Sequence, residues 1–277
     1  MLRSELATLF ARPRTRVLLL ILMAIPVVYT VVVKIAGGPK DGPAFLGQVP
    51  QNGLFAGLAG LSAIAPFVLP LAVAVVAGDA ISGEADLGTL RYLLAAPVRR
   101  GRLVAVKLLA AVVFACTAAL AVAVAGLLAG VVMFPAGPLV TAPGVDPPPA
   151  DAVLAGAVLP VPVAIGMVLL AALVIGVQVA GLAAVGVFVS TLTNSPVGAI
   201  AATVAALFLS EALHAQVSFL IPLQPWLLNS YWDAYQQLFH TRAALSGVMQ
   251  TIGVSLAYVV VFGAAAWVQF RRTDVVA

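Results

Sequence analysis

Charge is scarce in this chain, so each ionisable residue carries information. Its 277 residues include ten Asp or Glu, fourteen Lys or Arg and two His. Three acids (Asp79, Glu84, Asp86) and four arginines (Arg91, Arg99, Arg100, Arg102) fall within residues 78–102. Glu211 and His214 form a second constellation, one helical turn apart in Leu-Ser-Glu-Ala-Leu-His. At that spacing a carboxylate and an imidazole could relay a proton, hold a cation or meet a substrate in a pore. A carboxylate at the bilayer centre costs roughly 2.5–3.5 kcal/mol on insertion scales, so it needs a reason to be there. The preferred reading is that Glu211, well along its span, lies in the outer third and reaches interfacial water.

Other chemistries lack their residues. A phosphate-cradling loop needs a lysine directly after glycine, whereas Lys34, Lys40 and Lys107 follow Val33, Pro39 and Val106. His214 and His240 are too few and too far apart to suggest zinc. No catalytic triad appears. Cys116 is the single cysteine, which rules out an internal disulfide and reads as small apolar filler. The chain is expected to be no enzyme and to hold no cofactor or metal itself.

The elements that position these residues follow from hydropathy. Hydrophobic residues make up 63% and charged residues 9%, with a mean hydropathy of +1.14. A soluble domain would carry roughly a quarter charged residues. Long continuous apolar runs exclude a membrane β-barrel, whose strands alternate. The expected fold is an all-α integral membrane protein forming one transmembrane domain over residues 1–277. About 20 apolar residues cross a bilayer core, which places six spans near residues 17–35, 54–77, 103–134, 163–189, 197–217 and 248–270. The uncharged stretch from Ala152 to Ser210 holds two of them, divided at Ser190–Pro196.

Basic residues set the orientation, because cytoplasmic connections are enriched in Lys and Arg. With both termini in the cytoplasm, eleven of the fourteen basic residues lie inside, and Lys34, Lys40 and Arg242 outside. The net charge of +4 is read as membrane orientation rather than as nucleic-acid binding. The basic residues of Met1–Arg16 ahead of an apolar run are signal-peptide-like, but Val17–Val33 is long for that and is read as a retained first span. Trp226, Tyr231, Trp232 and Tyr235 between spans five and six fit an outer aromatic belt or re-entrant element, which Asp233 and Gln236–Gln237 could line, with Trp232 and Asp233 as candidate pathway or gate residues. Gly126 and Gly130 form a small-xxx-small pair, read as packing within the chain.

Between spans two and three, Ser82 could cap a short amphipathic helix with Glu84 and Asp86 in its first turn. Leu87, Leu90 and Leu94 share one face, Pro97 stops the helix, and Arg99, Arg100 and Arg102 can meet lipid phosphate. On physics alone, a plain interfacial anchor fits this elbow equally well.

The string Gly83-Glu-Ala-Asp-Leu-Gly-Thr-Leu-Arg-Tyr-Leu-Leu-Ala-Ala-Pro-Val-Arg-Arg100 resembles the segment between the second and third spans of type-2 ABC (ATP-binding cassette) transporter permeases. Met1–Arg16 is similar to that family's amphipathic helix on the inner membrane face, and Phe270–Val275 to its exit from span six. The resemblance implies that the elbow is a coupling helix. Glu84, Leu87, Thr89, Leu90 and Leu94, with Gly88 and Pro97, would then meet a groove on a partner ATPase. It implies two cytoplasmic ATPase subunits, a second permease (a copy or a related chain), and ATP bound only by the partners. Leu245-Ser-Gly-Val-Met-Gln250, faintly like the ABC signature, enters an outer span end and is read as coincidence. The function so implied is the membrane subunit of an ATP-driven exporter in a bacterial inner membrane, moving a hydrophobic or amphiphilic drug, lipid or peptide. The alternative is a proton-coupled secondary transporter using Glu211 and His214.

Overall fold

The computed structural model describes residues 1–37, 46–88, 100–140, 158–216, 224–230, 232–239 and 244–272. The chain opens with α1 (Leu2–Ala11), turns at Arg12 and enters α2 (Pro13–Ala36). Pro13 suits that position, since the first helical residue needs no N–H partner. There follow α3 (Phe55–Ile64), α4 (Val68–Asp86), α5 (Arg100–Met133), α6 (Val161–Gln178), α7 (Ala180–Ser190), α8 (Pro196–Gln216), the short α9 (Ala234–Gln237) and α10 (Ala244–Arg272). A two-residue antiparallel pair, β1 (Leu139–Val140) with β2 (Val158–Leu159), closes the connection between α5 and α6. Among the described residues, six helices or helix pairs are long and apolar enough to cross a membrane. The chain is a multi-pass, nearly all-helical membrane protein.

Spans one, three, five and six correspond to α2, α5, α8 and α10. Span two is divided where one run, 54–77, is expected. Pro66 has no N–H for the carbonyl of Ser62, and its ring crowds that carbonyl, so the helix breaks at Ala65–Phe67. The second half, α4, then continues nine residues past the expected end and takes in Asp79 and Glu84. Span four bends at Val179 between α6 and α7.

Ser82 is not a helix cap. It lies inside α4, fully buried, with its hydroxyl donating to Gly78 O at 2.7 Å. The N–H groups of Ile81 and Ser82 also donate to Ser190 Oγ at 2.9 and 2.8 Å, which ties α4 to the end of α7. No proline follows Pro70 before residue 86, so nothing stops the helix until Leu87 and the left-handed Gly88 (φ 66°). Residues 89–99, with Thr89, Leu90, Leu94 and Pro97, lie outside the described residues.

The core is built from α3, α4, α5, α6 and α7, with Leu61, Leu69, Phe114, Ile175 and Leu182 almost fully enclosed. Spans one, five and six leave most of their apolar surface uncovered, including Leu20, Val197, Leu209 and Val260. A single chain in water could not tolerate that much exposed hydrocarbon. Lipid or protein must cover it.

Small residues let backbones touch. A Cβ on Gly130 would fall 1.9 Å from the carbonyl oxygen of Gly53, and one on Gly126 would fall 2.7 Å from that of Ala56. The glycine pair on α5 therefore packs against the start of α3 within the chain, as its sequence suggests. Gly60 does the same against the Pro26 ring of α2.

Candidate functional site

Six charged side chains, from four helices and the turn at Arg12, converge at one end of the bundle. Lys107, about two turns into α5, is 3% exposed and donates to Glu5 Oε1 of α1 at 2.7 Å and to Glu84 Oε1 of α4. A lysine has three donors on a compact ammonium, so one Nζ can serve two carboxylates. Asp79, about one and a half turns before Glu84 on α4, accepts from Arg12 Nη1 at 3.2 Å and from Arg14. Gly83 makes room for it: a Cβ there would lie 2.5 Å from Asp79 Oδ1.

The arrangement is a clasp. Two points on α4 are fastened, through Asp79 and Glu84, to the hinge and the body of the N-terminal segment, and Lys107 adds the start of span three. Burial makes the attachment strict, since a charge out of water needs its partner. Leu87 follows directly and is 75% exposed, so the chain leaves the clasp with an apolar side chain uncovered beside residues 89–99.

Of the expected coupling residues, Glu84 is thus buried in an ion pair, Leu87 is exposed, and Gly88 supplies the positive φ that ends α4. Lys107 is ion-paired rather than solvated. Its chain is too enclosed to reach water, and Glu5 and Glu84 take water's place.

At the opposite end of the bundle, Asn229 accepts from Ser210 Oγ at 2.7 Å and donates to Glu211 Oε2. Glu211 is half-buried and ties the end of span five to the connection that follows, while His214 is exposed. The structure does not bring the two together with another acid or histidine among the described residues. Trp232 is buried, and next to it Asp233 is exposed and accepts from Gln236 Nε2 at 3.1 Å.

A family model for ABC-2 family transporter proteins matches residues 11–275. The chain belongs to the ABC-2 transporter family. Membership makes it the membrane component of an ABC transporter, a type of subunit that is not itself an enzyme. The chain is also similar to the probable ABC transporter permease protein NosY of Pseudomonas aeruginosa, 43% identical over 68 residues. That match spans 24% of this chain and about a quarter of the relative's length (25%).

Sequence reading missed the clasp of this ABC-2 chain, although it singled out Glu84. The overlooked signal was Lys107 itself, a lone cation five residues into an apolar run that lacks any acid. A lysine in that setting requires a carboxylate from elsewhere in the chain, and Glu5 before span one and Asp79, Glu84 and Asp86 between spans two and three are the candidates.

Proposed function

We propose that this chain is the permease subunit of an ATP-driven exporter. Its clasped end faces the cytoplasm of a bacterial cell, and two separate ATPase subunits dock against residues 84–97. Two such permeases, identical or related, enclose the pathway for a hydrophobic or amphiphilic substrate. The distribution of Lys and Arg supports the orientation. The observation that carries the reading is the clasp. Work done on residues 89–99 needs a stiff connection to the spans, and Glu84–Lys107–Glu5 with Asp79–Arg12 joins α4, α5 and the N-terminal segment there. Leu87 is the exposed contact beside it.

Under this reading ATP-driven approach of the two ATPases moves the elbow, and the clasp passes that displacement to spans one, two and three together. The test is copurification of tagged permease with a soluble ATPase, followed by transport in proteoliposomes. Leu87→Asp should abolish both ATPase association and ATP-dependent transport while leaving insertion and thermal stability unchanged. Transport that persists after complete removal of the ATPase overturns the proposal.

A further inference from the structure

A cavity of about 260 Å³ lies where span two is broken. Its lining includes Tyr29 of α2, Ser62 and Pro66 at the break, and Asp233, Tyr235 and Gln236 of the connection between spans five and six. Tyr29 is seven residues before the end of α2, which places it about 10 Å down from that end of the bundle. The segment carrying Asp233 therefore reaches inward, level with the break.

The formal charge there is of one sign. Asp233 brings a carboxylate, and no Lys, Arg or His stands among the lining residues. Pro66 cannot donate to the carbonyl of Ser62, nor Pro70 to that of Pro66, so the break turns backbone acceptors out of the helical ladder. Tyr29 and Tyr235 add ring faces of the kind that attract cations. Irregular backbone at membrane depth is tolerated where it lines such a cavity.

Tyr29 also lines a second, wholly apolar groove on α2, with Ile21, Ala24, Ile25 and Val28. These residues run about 12 Å along the helix from Tyr29 toward the middle of the span. The first cavity is too small for a whole drug-sized ligand, for which pockets of roughly 300 Å³ or more are usual, but it suits a head group whose tail lies in the groove.

We propose that this paired site binds an amphiphile with an ammonium head, the cation against Asp233 and the carbonyls of the broken helix, the hydrocarbon tail along Ile21–Val28. This narrows the substrate class of the exporter and rests on that reading for its place in transport, but the binding itself requires no ATP.

The experiment uses the full-length chain in nanodiscs of phosphatidylglycerol, without nucleotide or ATPase. Binding of dodecyltrimethylammonium is compared with that of dodecyl sulfate and uncharged dodecyl maltoside. The ammonium probe should bind and the two others should not compete. Asp233→Asn should weaken binding by about tenfold, the usual loss on removing a charged hydrogen-bond partner, and Asp233→Glu should keep most of it. Exposed Asp233 is an isosteric substitution site, and unchanged thermal unfolding checks the fold. Ile25→Trp, which fills the groove, should shorten the longest alkyl chain bound. Competition by phosphatidylethanolamine added to the discs identifies a lipid head group, and its failure a free cationic amphiphile. Equal binding of the sulfate probe, or undiminished binding by the Asn variant, overturns the assignment. Failure of the ATPase to copurify would overturn the exporter and leave this result standing.

Discussion

The ammonium of Lys107 at the start of span three is held by the carboxylate of Glu84, 23 residues earlier at the end of span two. Both are buried, and Glu5 of the N-terminal helix shares the same nitrogen. Replacing one partner strands the others. Lys107→Met should destabilise the folded chain by about 3–5 kcal/mol, because two carboxylates lose the cation they share. Thermal unfolding in detergent reads the loss. Adding Glu84→Gln to that variant should recover part of it, since the uncompensated charge is then removed.

Asp79 holds the other side of the clasp, but Arg12 and Arg14 are partly exposed, and solvent screens such pairs. Asp79→Asn should therefore cost only about 1 kcal/mol in stability. Its effect should instead be local: faster amide hydrogen exchange in Leu2–Ala11, with the exchange of α5 unchanged. High salt should produce the same local change in the native chain.

The crossing of α3 and α5 permits no side chain at its tightest point. Gly130→Ala puts a methyl group on the backbone of Gly53, and neither backbone can yield without breaking helix hydrogen bonds. Expression and unfolding temperature should both fall sharply. Gly137→Ala is the control, since a Cβ there meets nothing within 4 Å, and it should behave as the native chain does.

Tyr235 lies in the connection between spans five and six, and burial, opposed by the hydrogen bond from Gln236 and reinforced by the Asp233 carboxylate, pushes its phenol from 10.0 up to about 12. The folded state keeps the proton longer than the unfolded one. Its contribution is present below pH 10 and is lost as pH rises toward 12. Over that window the native chain should lose on the order of 2 kcal/mol that Tyr235→Phe does not lose. Unfolding measured from pH 9 to 12 separates the two.

The helices were legible because hydrocarbon length is a strict measure: Pro196–Gln216 and Ala244–Arg272 fall within a few residues of the apolar runs at 197–217 and 248–270. Span two was harder to read. Pro66 and Pro70 are visible in the sequence, but whether a proline kinks a helix or breaks it depends on what surrounds the gap, here a cavity lined in part by Asp233 and Tyr235 from a distant connection. Ser82 looked like a cap because serine caps are common. A partner 108 residues away, Ser190, instead satisfies the backbone around it. The same holds for Glu84, whose role was read from neighbouring residues but whose surroundings come from Glu5 and Lys107. Charges on separate spans find each other in space, and local pattern does not record it.

Pro66 leaves span two in two pieces with different allegiances. α3 is fixed to α5 and α2 through the glycines, whereas α4 rests chiefly on α7 and α8 and scarcely meets α3. A tilt imposed on the lower piece need not drag the upper one with it. The second crossing is then jointed like a finger rather than rigid like a piston, and its knuckle opens where the ammonium site lies.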